Sequence, residues 1–286
     1  MNNYVFSPLN YMGNKSKLLP QILSLFPANI KTFVEPFCGS LVVGLNVNAE
    51  KYVFNDVFCY LIDLFEEFYN NNENDILRHI HGRIEEYSLS ATNKEGYLKI
   101  RSYYNANRNP LDLYVLCCYC FSNQIRFNNK HEFNQSFGLN CSYFNKNMKS
   151  KLKSFLSAMK KRDISFSRRS FEELDFTELG TEDFVYLDPP YLISSATYND
   201  GKRGFTGWNE TYERKLLGIL DNLNRRNIRF ALSNVITHKG RCNEILLEWV
   251  KKNRYNVHHL NIKYALNRTG KENIFKDDEV FITNYD

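Results

Sequence analysis

The chain has 286 residues, 43% hydrophobic and 24% charged, which is the balance of an ordinary globular protein long enough for a large α/β domain with a smaller inserted unit. No apolar run reaches the length of a bilayer span, and the opening "MNNYVFSPLN" lacks a signal-peptide layout, so a cytoplasmic location is expected. A net charge of +5 is too mild to define a partner by itself.

Residues 30–35, "IKTFVE", have β composition and run into "PFCGS". The following "LVVGLNV" predicts a helix start, so Gly39 would let a ligand approach the backbone while the helix N-terminus offers free N–H groups. The fingerprint G-x-G-x-x-G is absent, which argues against a dinucleotide phosphate cradle and a nicotinamide enzyme. An acid at the strand end, Glu35, suits a cationic or hydroxyl-rich ligand, with a plain tight turn as the alternative. A second strand, 51–56, ends on Asp56. An acid there binds ribose hydroxyls in nucleotide-binding sheets or caps the next helix. Residues 61–69 have helical periodicity. Strand, glycine turn, helix, strand, helix predicts a parallel α/β sheet.

The pattern then changes. Residues 73–125 read as mostly helical and rich in Tyr, Asn and Cys. Three of the seven cysteines fall in "LCCYCF"; the run is apolar and has no partner pair at metal-ligand spacing, so buried reduced thiols are expected and no metal. "IRFNNKHEFNQSFG", 125–138, reads as a β-hairpin about Asn-Asn-Lys. From Lys146 to Arg162 the chain carries Lys146, Lys149 and Lys151 among other bases and no acid. That suits a phosphate backbone, or simply a solvated helix face. Strands are predicted again at 163–171, 183–188, 228–234, 256–264 and 278–285, with a helix at about 210–225. A domain formed by 1–59 and 160–286 is thus interrupted by an insert, 60–159.

The most informative stretch is "FVYLDPPY", where a buried strand stops on Asp188 and two prolines follow. The carboxyl end of such a strand is where open α/β sheets place ligands. Pro189 and Pro190 fix φ and remove two donors. What remains is the Asp188 carboxylate, the Pro189 carbonyl and the flat face of Tyr191. Two acceptors beside an aromatic plane match an exocyclic amino group on a planar ring.

Taken together, these segments resemble the Dam-like DNA adenine-N6 methyltransferases in their α-type motif order. "LNYMGNKSKLL" is similar to the N-terminal motif, "FVEPFCGS" to the S-adenosylmethionine motif, "FNDV" to the ribose-binding acid, "SNQIRFNNKHEFNQSFG" to the recognition hairpin and "LDPPY" to the catalytic motif; "FTGW", "LSN" and "RTGKENIFKDDEVFITNY" resemble the closing segments. The resemblance implies a Rossmann-like methyltransferase sheet, mixed, with one antiparallel edge strand, and an inserted, mainly helical recognition unit. It implies S-adenosylmethionine as donor and double-stranded DNA as substrate, with a separately acting restriction endonuclease as a further partner and a monomeric state. Tyr11, Gly13, Lys15, Glu35, Phe37, Gly39, Asp56, Phe171 and Asp188 are the implied cofactor contacts. Asp188, Pro189, Pro190 and Tyr191 are the implied catalytic set. Asn123, Arg126, Asn128, Lys146, Lys149 and Lys151 are the implied DNA contacts, with Arg126 matching the arginine that reads a guanine. Tyr11 and Asn14 replace the usual Trp and second Gly, and Ser136 and Leu139 stand where GATC-specific members carry Pro and Arg. The expected reaction is base extrusion followed by direct methyl transfer to N6 within GATC or a related short site. The tetrapeptide alone also suits cytosine N4, RNA adenine or a protein amide, and a silent DNA-binding module is the alternative of another class.

Overall fold

The structure, a computed structural model, describes residues 4–193, 207–261 and 278–286. The strands are β1 (Ile30–Glu35), β2 (Ala49–Asn55), β3 (Asp163–Ser167), β4 (Phe184–Leu187), β5 (Arg229–His238), β6 (Arg241–Cys242), β7 (Asn256–His259) and β8 (Asp278–Thr283). The helices are α1 (Leu19–Ser24), α2 (Cys59–Asn70), α3 (Glu73–Glu86), α4 (Lys94–Asn107), α5 (Pro110–Tyr119), α6 (Lys146–Lys160), α7 (Glu210–Arg225) and α8 (Glu244–Asn253). Asparagine starts most of the longer ones. The side chains of Asn72, Asn93, Asn109, Asn145, Asn209 and Asn243 each accept from a backbone N–H in the first turn of α3, α4, α5, α6, α7 and α8. Each satisfies a donor the helix cannot pair internally.

One sheet runs in the order β3-β2-β1-β4-β5-β8-β7, with the short β6 on β5. β3, β2, β1, β4 and β5 are parallel, and β8 lies antiparallel between β5 and the outermost β7. This is the mixed methyltransferase-type sheet that the resemblance implied, with its antiparallel pairing on the β5 side. The chain leaves β1 towards β2 and β3, then returns to the other side of β1 for β4 and β5. The ends of β1 and β4 therefore adjoin where the winding reverses, which is where such sheets bind ligands.

Side chains alternate faces with period two. On one face Phe33, Tyr52, Phe54, Phe184, Tyr186 and Phe281 join a core shared with α2, α3, α4 and α5; on the other Val34, Val185, Leu187, Leu232, Val280 and Ile282 pack with α7 and α8. The helices of 60–159 thus share one continuous core with the sheet. Cys117, Cys118 and Cys120 are buried free thiols in it; burial pushes the Cys120 thiol up to about 12.

Three expectations need correction. No α-helix follows Gly39: the segment makes a single 3-10 turn, Gly44–Asn46. Leu41 takes a left-handed φ of 60°, and Gly44 sits so close to Phe54 that a Cβ there would lie 2.2 Å from its ring. The hairpin at 125–138 keeps its turn but not a ladder. Within it only the bridge Phe127↔Phe133 remains, as Asn128 draws the backbone of Lys130 and Glu132 onto its own Oδ1 at 2.9 and 3.0 Å, while Phe137 bridges back to Cys120. The strand predicted at 163–171 stops at Ser167, and Phe171 begins a 3-10 turn. Phe205 and Thr206 of "FTGW" and "RTGKENIFKDDEVFITNY" up to residue 277 lie outside the described residues, as do 262–264 of the strand predicted at 256–264.

Candidate active site

Continuing the alternation past the strand ends puts Glu35, Asp56 and Asp188 on the same face as Phe33, Phe54 and Tyr186. Three carboxylates therefore meet at the carboxyl edge of the parallel strands. They line a cleft of about 960 Å³, counted with the solvent space at its opening. All nine residues that the motifs suggested for the cofactor, Tyr11, Gly13, Lys15, Glu35, Phe37, Gly39, Asp56, Phe171 and Asp188, line this one cleft. Pro190 lines it too, while Pro189 is buried behind it.

Lys15 enters from a 3-10 turn, Lys15–Lys17, near the N-terminus. Its ammonium is 2.8 Å from Asp188 Oδ2 and 3.6 Å from Glu279 Oε1, and lies 5.2 Å from the centroid of the Tyr191 ring. The Tyr191 hydroxyl is 3.2 Å from both Asp188 Oδ1 and Glu279 Oε1. Burial raises the Asp188 carboxyl above its ordinary value, against the lowering pull of the Lys15 charge. Burial also raises Glu279, again with Lys15 opposing and the Asp188 charge adding to the rise. Glu35 is 2% exposed. Burial and the nearby Asp188 charge push its carboxyl well above the usual range, and its Oε2 has no hydrogen-bond partner among the described residues.

Asp56 organises the floor. Its Oδ2 accepts from Gly39 N and its Oδ1 from Phe58 N, both at 2.9 Å. Gly39, with φ of 44°, brings the turn under the Tyr11 ring: an added Cβ would sit 3.4 Å from it. Part of the lining is aromatic. Phe37 and Phe171 stand 5.5 Å apart, with Trp208 5.8 and 5.4 Å from them. Glu213, buried in α7, fixes that wall by accepting from Trp208 Nε1 at 2.6 Å and from Asn243 and Asn234 at 2.9 and 3.3 Å.

The DNA candidates are more scattered. Arg126 is exposed on the loop after α5, and its guanidinium has no partner among the described residues. Asn123 instead donates to the Cys117 and Cys118 carbonyls at 3.0 and 3.2 Å, closing α5, and Asn128 donates to Glu132 at 2.8 Å besides building the turn. Lys146, Lys149 and Lys151 lie on α6 with no ion pair among the described residues. The rest of the basic run is largely used internally: Lys153 pairs with Glu73 at 2.6 Å and Arg162 donates to the Ala158 and Leu45 carbonyls. Arg168, just beyond it, pairs with Asp63 at 2.6 Å and with Glu66. The loop is tied to the cleft, since Asn10, beside Tyr11, bridges Gln124 and donates to Ser122 O at 2.8 Å.

Glu279 and Arg169 were not singled out from the sequence. Arg169 lines the cleft. The signal for Glu279 was there in hindsight: an acid at the start of the apolar strand "DEVFIT".

The sheet reverses at β1/β4, and the buried acids and the Asp188-Pro189-Pro190-Tyr191 turn gather at that point. The family model for D12 class N6 adenine-specific DNA methyltransferases matches residues 11–266, and the chain belongs to this family. It is 48% identical over 284 residues to the type II methyltransferase M.FokI of Planomicrobium okeanokoites and 47% identical over 283 residues to the modification methylase StsI of Streptococcus sanguinis; in each case 99% of this chain aligns with 43% of the relative. The chain thus spans less than half the length of these relatives. A DNA adenine methylase of Haemophilus influenzae is 29% identical over 70% of this chain and 67% of its own.

Members of this family use S-adenosylmethionine as methyl donor. The residues of the cleft fit it: the acids Asp56 and Asp188 and the aromatic rings of Phe37 and Phe171 line one space.

Proposed function

We propose that this chain methylates N6 of adenine within a short site in duplex DNA. The observation that carries this reading is Asp188, anchored by Lys15 at 2.8 Å at the mouth of the cleft and followed by the stiff Pro189-Pro190-Tyr191 turn. When bound, S-adenosylmethionine supplies a methyl group already activated on a sulfonium. Tyr11, Gly13, Lys15, Glu35, Phe37, Gly39, Asp56, Phe171 and Asp188, which line the cleft, would hold it, Asp56 being the candidate for its ribose and Phe171 for its adenine.

The remaining work is positioning. The target base leaves the duplex, because its amino group is otherwise paired and stacked. Tyr191 stacks on it, and Asp188 with the Pro189 carbonyl accepts its amino hydrogens. Both acceptors draw electron density onto N6 and hold it in one direction. Fixed orientation of this kind is worth up to about 7–11 kcal/mol of barrier. Residues 60–159 form the recognition unit. In it Arg126 reads a guanine edge, worth about 1–3 kcal/mol of discrimination, Asn123 and Asn128 shape and support the loop that presents it, and Lys146, Lys149 and Lys151 hold phosphates. GATC or a related short site is the target, the substitutions Ser136 and Leu139 bearing on which. A separately acting restriction endonuclease, a monomeric state and a cytoplasmic location belong to the same reading.

The test is transfer of a labelled methyl group from S-adenosylmethionine to unmethylated duplex DNA, followed by modification-sensitive sequencing. Methylated adenine in one short motif is expected, and Asp188→Ala should abolish it while donor binding survives. Label on RNA or protein alone would replace the acceptor. Donor binding without any transfer would favour a silent DNA-binding module.

A further inference from the structure

Both oxygens of Asp188 are engaged in the structure: Lys15 lies on Oδ2 at 2.8 Å and the Tyr191 hydroxyl on Oδ1 at 3.2 Å. A substrate amino group needs one of them. The Tyr191 hydroxyl carries a single proton, yet it stands equally far, 3.2 Å, from a second carboxylate oxygen, Glu279 Oε1. It can donate to only one of the two at a time. Glu279 comes from a distant part of the chain. β8 runs antiparallel to its neighbours, so its first residues lie at the edge where β4 ends. Glu279 pairs there with Val235 on β5, beside a register shift, and its own carbonyl is held by Leu260 N at 2.8 Å. Its side chain is rigidly presented and 12% exposed.

We propose that Glu279 is a positioning residue that takes over the Tyr191 hydroxyl and thereby frees Asp188 Oδ1 for the substrate's amino group. The inference rests on the reading of Asp188 as the acceptor for that group. Glu279 does not touch the base. It gives Tyr191 an alternative acceptor, so the ring keeps its orientation while Asp188 exchanges one donor for another. Lys15 stays on Oδ2 and keeps the carboxylate from rotating away. Without Glu279 the tyrosine hydroxyl and the amino group compete for one oxygen.

The test is a double-substitution cycle read by single-turnover methyl transfer at saturating donor and DNA. Glu279→Leu, which also keeps water out of the vacated space, should slow transfer about tenfold or more, the cost of a displaced buried hydrogen bond. Glu279→Gln retains an acceptor for the hydroxyl and should restore most of the rate. In a Tyr191→Phe background nothing competes for Asp188, so adding Glu279→Leu should cost at most about twofold, a strong non-additivity. Equal losses in both backgrounds would make Glu279 merely structural and overturn the inference while leaving the methyltransferase reading intact. A Gln variant as slow as the Leu variant would assign the effect to charge and overturn it as well. No transfer by the unsubstituted chain would remove the parent reading, and this one with it.

Discussion

Lys15 stands between two acids and is bonded to one of them, and the acid-side limit of activity should follow from that. Asp188 must be ionised to accept an amino hydrogen. Burial raises its carboxyl above the ordinary 3.8 while Lys15 pulls it down, so activity should fall as pH drops through a midpoint above that value. Removing the cation leaves desolvation opposed only by the Tyr191 hydrogen bond. Lys15→Met, assayed at saturating donor, should move the acid limb to higher pH; an unchanged limb would mean that Asp188 does not control it. Glu35 gives the complementary stability prediction. Its folded carboxyl is raised well above 4.5, so the folded state holds that proton more tightly than the unfolded chain. Wild-type stability from this group is therefore full below the unfolded value and is lost as pH rises through the folded one. Glu35→Gln should raise the unfolding midpoint by a few degrees at pH 8, and the gain should vanish in acid. That is the signature of a site held at a cost in stability for function.

The secondary-structure elements explain what could be read in advance. The strands ending on Glu35 and Asp188 were legible because apolar β runs stopping on acids are visible locally, and the period-two pattern then puts both on one face. The helix expected after Gly39 was not legible as a mere turn, since the obstacle is tertiary: Phe54 and Glu35 fill the space around Gly44. Glu279 is visible as an acid at a strand start, but its place beside Asp188 is tertiary, because β8 runs antiparallel and delivers its first residues to that edge. The recognition loop and α6 show the limit of charge counting. The basic run looked uniform, but Lys153 and Arg162 serve the fold, while Lys146, Lys149 and Lys151 have no ion pair among the described residues. Replacing these three with alanine should weaken DNA binding on every sequence and flatten its logarithmic salt dependence by up to about 0.9 for each phosphate no longer neutralised. Arg126→Ala should instead lose discrimination at one base pair. Binding titrations at several salt concentrations, on matched and mismatched duplexes, separate the two; a uniform loss for Arg126→Ala would make it a phosphate ligand.

At the scale of the whole molecule, the boundary expected between 1–59 with 160–286 and 60–159 does not mark a break in the core. Phe33, Tyr52 and Phe184 of the sheet belong to the same buried cluster as Ile76, Tyr97 and Tyr114 of the helices. A structure that shares one core across that boundary should unfold as a unit, with the helical part unable to melt first. Asp112 offers a probe far from the cleft. It is fully buried at the start of α5, and its Oδ1 takes both His79 Nε2 at 2.7 Å and Arg83 Nε at 2.8 Å from α3. Asp112→Ala leaves those donors facing a void and should cost about 2–3 kcal/mol, somewhat less than a fully buried pair because Arg83 retains some access to water. If the core is continuous, calorimetry should show one transition moved to lower temperature, with donor affinity at the remaining folded fraction unchanged. A separate low-temperature transition confined to helical signal would instead mean that residues 60–159 fold as their own unit on the sheet.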